Sequence, residues 1–156
     1  MDVVVTHMRW GDKVKEAKLA PVEDYIHGVS EVLHKRQGFN HTGSVYLLSE
    51  DPKAIAAFRE KAPPGWTIYL ERFSEEFLSI RPTFGNQESR LARLTAGRTG
   101  LVNLGSIILA MEANNFVLTT RSGWSNLFDE LRRGVIHPRC NECTLVHWVK
   151  VQGRHQ

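Results

Sequence analysis

Residues 3–38 read VVVTHMRWGDKVKEAKLAPVEDYIHGVSEVLHKRQG, and two different periods inside this stretch decide the fold. Val3 to Thr6 is a β-branched apolar run of strand length. Val22, Tyr25, Ile26, Val29, Val32 and Leu33 then recur at i, i+3, i+4 and i+7, which puts them on one face of a helix. Pro21 suits the first turn of that helix. Glu23 and Asp24 complement the positive end of its dipole, Lys35 and Arg36 the negative end, and Gly38 stops it. Outward from this unit the alternation repeats. Val45 to Leu48 is a second strand, Asp51-Pro52 opens a short helix that Pro63-Pro64 closes, and Trp66 to Leu70 is a third strand. Glu71 to Gly85 lacks a period and reads as a long loop, followed by a short helix over Glu88 to Leu94. Leu101 to Glu112 is apolar enough to be buried on more than one side. Asn115 to Thr119 is a fourth strand, Trp124, Leu127, Phe128 and Leu131 mark an amphipathic helix, and Thr144 to Val149 is a last strand. The alternation predicts one α/β domain over residues 1–156, built of βαβ units with a mostly parallel sheet.

Composition sets the class. A chain of 156 residues with 42% hydrophobic and 24% charged content has the makings of a single packed core. Twenty Lys and Arg against 17 Asp and Glu leave a net charge of +3, and the basic residues are scattered, so nucleic acid is not an expected partner. No apolar run approaches the roughly 18 residues of a membrane span, and strand-like sequence begins directly after Met1, so neither a signal peptide nor an anchor is expected. Asn40-His41-Thr42 is a glycosylation sequon, which matters only in a secretory compartment.

In an open parallel sheet the ligand sits beyond the carboxyl ends of the strands. Three strand ends here turn abruptly polar: His7 to Lys13, Ser49 to Pro52, and Thr119 to Gly123. Residues i and i+2 of a strand point to one side, so His7 and Arg9 are expected to share a crevice, His7 either as a ligand contact or as a satisfied hydrogen-bonding group. A guanidinium offers a planar fork of donors to a diphosphate, which makes Arg9 the leading candidate, with Lys13 adding a point charge. The alternative for Arg9 is an ion pair with Asp12 in a solvated turn. Thr120, Arg121 and Ser122 precede a helix whose free N–H groups favour an anion, although Ser122 is also a good N-cap. Asp51 before Pro52 divides between capping and ribose or base recognition, and Glu50 beside it has no capping role. The dinucleotide fingerprint and the phosphate loop are both absent. His137, Cys140, Cys143 and His147 form H-x2-C-x2-C-x3-H, which lacks the long spacer of zinc sites and reads as a two-cysteine loop or free thiols before a metal centre.

The run HMRWGDKVKEAKLAPVEDYI resembles the H-x-R-x-x-D-K signature, glutamate and P-[IV]-E-[ED]-Y helix start of α-1,6-fucosyltransferases and their protein O-fucosylating relatives. VYLLSEDP is similar to that family's next strand, and LVNLGSIILAMEANNFVLTTRSGWSNLFDELR to its final helix, strand and helix. The resemblance implies the second, Rossmann-like, donor-binding half of a GT-B fold, with helices on both faces of a parallel sheet, and an inverting, metal-independent fucosyl transfer from GDP-fucose, with no bound cofactor. By position it implies that His7 and Arg9 contact the diphosphate with Lys13 beside them, that Asp12, Glu50 and Asp51 belong to the nucleotide-sugar site, and that Thr120, Arg121 and Ser122 line the nucleotide. Glu16 would be the general base, reached by a one-residue deletion before Pro21. Ser106 stands where the family has an aspartate for guanine, and Glu50 stands for the first of two aspartates. Implied partners are a glycan or glycoprotein acceptor and a separate acceptor-binding domain, in a Golgi or ER lumen. A non-catalytic nucleotide-sugar or glycan-binding remnant, or an unrelated flavodoxin-like module, are the alternatives.

Overall fold

The computed structural model describes residues 3–10, 17–38, 42–70, 96–141 and 143–153. Five strands form the main sheet: β1 (Val3–His7), β3 (Gly43–Leu48), β4 (Trp66–Tyr69), β5 (Asn115–Thr119) and β6 (Leu145–Val149). They run parallel in the order β4-β3-β1-β5-β6. A second pairing escaped the sequence reading, two residues long on each side, between β2 (Ala17–Lys18) and β7 (Gln152–Gly153). The helices are α1 (Val22–Gln37), α2 (Pro52–Lys61), α3 (Arg98–Ala110) and α4 (Gly123–Leu131). A π-helical turn (Arg132–Ile136) and the short α5 (His137–Cys140) follow. The expected loop over Glu71 to Gly85 and helix over Glu88 to Leu94 lie outside the described residues.

The chain is thus an α/β, Rossmann-like fold, and its strands separate two cores by simple alternation. Val4, Val45, Leu47 and Val117 pack on one face with Tyr25, Val29, Val32 and Leu33 of α1 and Ala54, Ile55 and Phe58 of α2. Val5, Leu48, Phe116 and Leu118 pack on the other with Ala110 of α3 and Phe128 of α4. Each such large apolar side chain contributes about 1.5–3 kcal/mol when fully buried. The chain travels outward from β1 to β4 through α1 and α2, then returns past β1 to build β5 and β6 through α3 and α4. Right-handed crossovers in opposite directions put helices on opposite faces, which is the arrangement found. Gly28 lets α1 lie close: a Cβ there would stand 2.6 Å from Cδ2 of His147 and 3.1 Å from Cγ1 of Val117. Gly38 ends α1 at φ 72°, its N–H bonded to the His34 carbonyl.

Two helix faces differ from expectation. In α3 it is Ser106 and Ala110 that are buried, while Leu101, Leu104, Ile108 and Leu109 are exposed. Small side chains are the ones that let this helix approach the sheet, so its leucines turn outward. In α4 the buried positions are Ser125, Phe128 and Asp129, continued by Arg132, and Leu127 is exposed. Hydrophobic period misjudged this face because its polar members have buried partners. Arg132 donates to Asp129 through Nε and Nη2, and through Nη1 to Thr144 Oγ1 at 2.7 Å, while Arg133 pairs with the second Asp129 oxygen at 2.6 Å. Cys140 and Cys143 form a disulfide just after this network. The thiolates a metal would need are therefore joined to each other, and His147 instead faces Glu31 of α1 at 2.8 Å.

Candidate functional site at the carboxyl edge of β1 and β5

Strand order reverses between β1 and β5: one is followed by α1 on the first face, the other by α4 on the second. A crevice opens beyond the carboxyl ends at such a switch point. Its floor is held by one hydroxyl. Thr119 Oγ1 donates to the His7 carbonyl at 2.7 Å, and with its hydrogen so used it accepts from Tyr25 Oη at 2.9 Å and, weakly, from the Arg9 N–H at 3.4 Å. β1, β5 and α1 are thereby tied together at the point where the site begins. Burial pushes the Tyr25 phenol up to about 12, so it stays a neutral donor.

His7 is buried with its ring tilted against Phe128 and its Nδ1 2.7 Å from Ser125 Oγ. Burial first, and the Arg9 charge second, push its imidazole from 6.5 down to about 3. It is therefore uncharged at neutral pH. Ser125 Oγ also accepts the Thr119 N–H at 2.9 Å, so the turn into α4 is stitched to the strand it leaves. Ser122 caps α4 by accepting from the Ser125 N–H.

Arg9 follows β1 and places its guanidinium 3.5 Å from a Glu50 carboxylate oxygen. The two charges come from different strand ends. A cavity of about 60 Å3 opens beside them, lined by His7, Leu48, Ser49, Glu50, Asn103, Ser106, Trp124 and Phe128. This is well below the roughly 300–1,000 Å3 of complete small-molecule pockets, and suits one group of a ligand, of phosphate size, among the described residues. A larger cavity of about 400 Å3 lies on the flank of the sheet between Val3, Val5, Tyr46, Tyr69 and Leu109. Its walls are mainly apolar, with Glu112 among them, and the last residues of β1, β3 and β5 do not line it.

The expected residues divide accordingly. His7, Glu50 and Ser106 line one cavity, and Arg9 reaches Glu50, so three separate stretches of sequence meet. Ser106 is buried and its hydroxyl donates to the Val102 carbonyl. Asp51 caps α2, accepting from the Lys53 N–H at 2.8 Å. Thr120 spans to β6, donating its N–H to the Val149 carbonyl and accepting from the Val151 N–H. Arg121 is exposed with φ 58°. Thr120, Arg121 and Ser122 thus form the β5–α4 turn, with the two hydroxyls engaged by backbone. Asp12, Lys13 and Glu16 lie outside the described residues, as does Asn40 of the sequon.

Sequence reading missed Ser125, Asn103, Trp124 and the polar role of Tyr25. Only Ser125 carried a signal, a serine on the same helical face as Phe128, three residues before it. No protein-family model, curated protein or solved structure matches this chain. Among the described residues no helix is long and apolar enough to cross a membrane.

Proposed function

We propose that the chain binds a nucleoside diphosphate sugar at the β1/β5 crevice, as the donor-binding domain of an inverting fucosyltransferase-like enzyme that uses GDP-fucose. The observation that carries this is the convergence of Arg9, His7, Glu50 and Ser106 at the topological switch point of a Rossmann-like sheet. Arg9 supplies a fixed positive charge for the diphosphate, which gains negative charge as the sugar leaves, so this reading needs no bound metal or cofactor. Ser106 and Asn103 offer small polar groups to a ligand, and Glu50 offers an acceptor for hydroxyls. The acceptor glycan or glycoprotein would attack the sugar with Glu16 as general base, the role its resemblance assigns, while a separate acceptor-binding domain aligns it. Counted within the main sheet, the strand order is 3-2-1-4-5, which favours this reading over a flavodoxin-like module with its order 2-1-3-4-5.

A melting-temperature screen of GDP, GDP-fucose, GDP-mannose, UDP-sugars and flavin mononucleotide tests the site, the base and the sugar together. GDP and GDP-fucose are expected to stabilise the chain, and Arg9→Ala to abolish the effect. Absence of any shift at millimolar GDP or GDP-fucose refutes the proposal. Binding without transfer of labelled fucose to any glycan acceptor supports a non-catalytic nucleotide-sugar binder instead.

A further inference from the structure

Ser125 Oγ accepts the Thr119 N–H at 2.9 Å and keeps its own hydrogen, and Nδ1 of His7 at 2.7 Å is placed to take it. Ser125 is fully buried, so water does not compete for this bond. A ring whose Nδ1 accepts carries its hydrogen on Nε2. His7 lines the cavity shared with Glu50, Asn103 and Ser106, and Nε2 is the nitrogen not taken up by Ser125.

We propose that Ser125 is a positioning residue that holds His7 as its neutral Nε2–H tautomer, so that the cavity offers an uncharged N–H donor to an acceptor oxygen of its ligand. This rests on the reading that the cavity takes part of a nucleoside diphosphate sugar, and it specifies how the ligand oxygen is held. Two kinds of donor then sit at one crevice: the permanent cation of Arg9 and the neutral N–H of His7. A cationic imidazole would be poorly tolerated, because the ring is buried and Arg9 lies close by on the same segment. Among the described residues the other ionisable groups near it are Glu50, which lines the same cavity, and Tyr25, reached through Thr119. Neither supplies a hydrogen-bonded counter-charge to the ring itself.

Long-range proton–nitrogen NMR of the 15N-histidine-labelled, ligand-free chain tests the tautomer directly. The expected spectrum shows His7 protonated at Nε2 alone, unchanged from about pH 8 to about pH 5, where ordinary histidines titrate. Protonation at Nδ1, or a cationic ring at about pH 6, overturns the inference. Ser125→Ala is expected to release the ring into both tautomers and Ser125→Thr to restore Nε2–H; a ring that stays Nε2–H in Ser125→Ala denies Ser125 its role. GDP then serves as the probe. It is expected to shift the His7 Nε2 resonance and to bind about fivefold more weakly to Ser125→Ala, the worth of one well-placed hydrogen bond. GDP that binds without moving His7 overturns the ligand half of the inference. GDP that fails to bind refutes the nucleotide-sugar reading and leaves the tautomer result to stand or fall on the ligand-free spectrum.

Discussion

His7, held down to about 3 by burial and the Arg9 charge, binds its proton far less readily folded than unfolded, where the value is near 6.5. A lowered folded-state value means that the unfolded chain takes up the extra proton as pH falls. The stabilisation is therefore fully present above about pH 6.5 and is lost progressively toward pH 3. Replacing His7 by Asn should lower stability at pH 7 yet flatten this dependence, removing about 3 kcal/mol of the loss between pH 7 and about pH 4. Urea melts of both proteins at the two pH values measure it, and parallel losses would contradict the assignment. Thr6 is the reverse case. Its hydroxyl is completely buried with no hydrogen-bond partner among the described residues, so Thr6→Val, equal in shape, should gain about 1 kcal/mol in the same melts.

Helices are placed here by small or polar residues as much as by leucines. Gly28→Ala would raise helix propensity by about 1 kcal/mol, but its Cβ would enter the space of the His147 ring, itself held by Glu31, and of Val117 in the core. The net effect should be a loss of about 1–2 kcal/mol, read as a lower thermal midpoint. A midpoint that rises would mean that α1 can lift from β5 and β6 at no cost. The buried face of α4 makes a stronger demand. Asp129→Ala would leave the buried Arg132 guanidinium without its carboxylate, and should cost about 3–5 kcal/mol in denaturant unfolding. Asp129→Asn, which keeps an acceptor oxygen, should cost less. The inward face of α1 and the extents of α2 and the outer strands were legible from period and punctuation, whereas the face of α4 was not. Its inward face spends serine on His7 and Thr119, and pairs aspartate with an arginine that also reaches Thr144, and a hydrophobic period cannot see such bonds.

For the whole molecule, ligand binding should appear as added stability. A ligand present at about one hundred times its dissociation constant contributes about 2.7 kcal/mol, which for a chain of this size is roughly 5–10 °C in melting temperature. GDP should give a shift of this order in the wild type and little in Arg9→Ala. A normal shift in Arg9→Ala would move the diphosphate away from the crevice between β1 and β5. Because Thr119 ties β1, β5 and α1 at that crevice, removing its hydroxyl with Thr119→Val should reduce both stability and the GDP shift.

Local chemistry was enough to write the α/β alternation, the strand interiors, the α1 and α2 boundaries and the polar strand ends, since each depends on periods and punctuation within some twenty residues. It was enough also to nominate His7, Arg9 and Glu50, whereas Ser106 was named only through the family resemblance. The strand order, the meeting of those four residues, and the partners of Ser125 and Arg132 came from contacts between segments separated in the chain. His7 shows why. Its strand position is visible in Val3 to His7, but its tautomer and charge depend on Ser125, 118 residues away, and on the exclusion of water from the ring. Desolvation and long-range hydrogen bonding are properties of the packed molecule, and no run of neighbouring residues contains them.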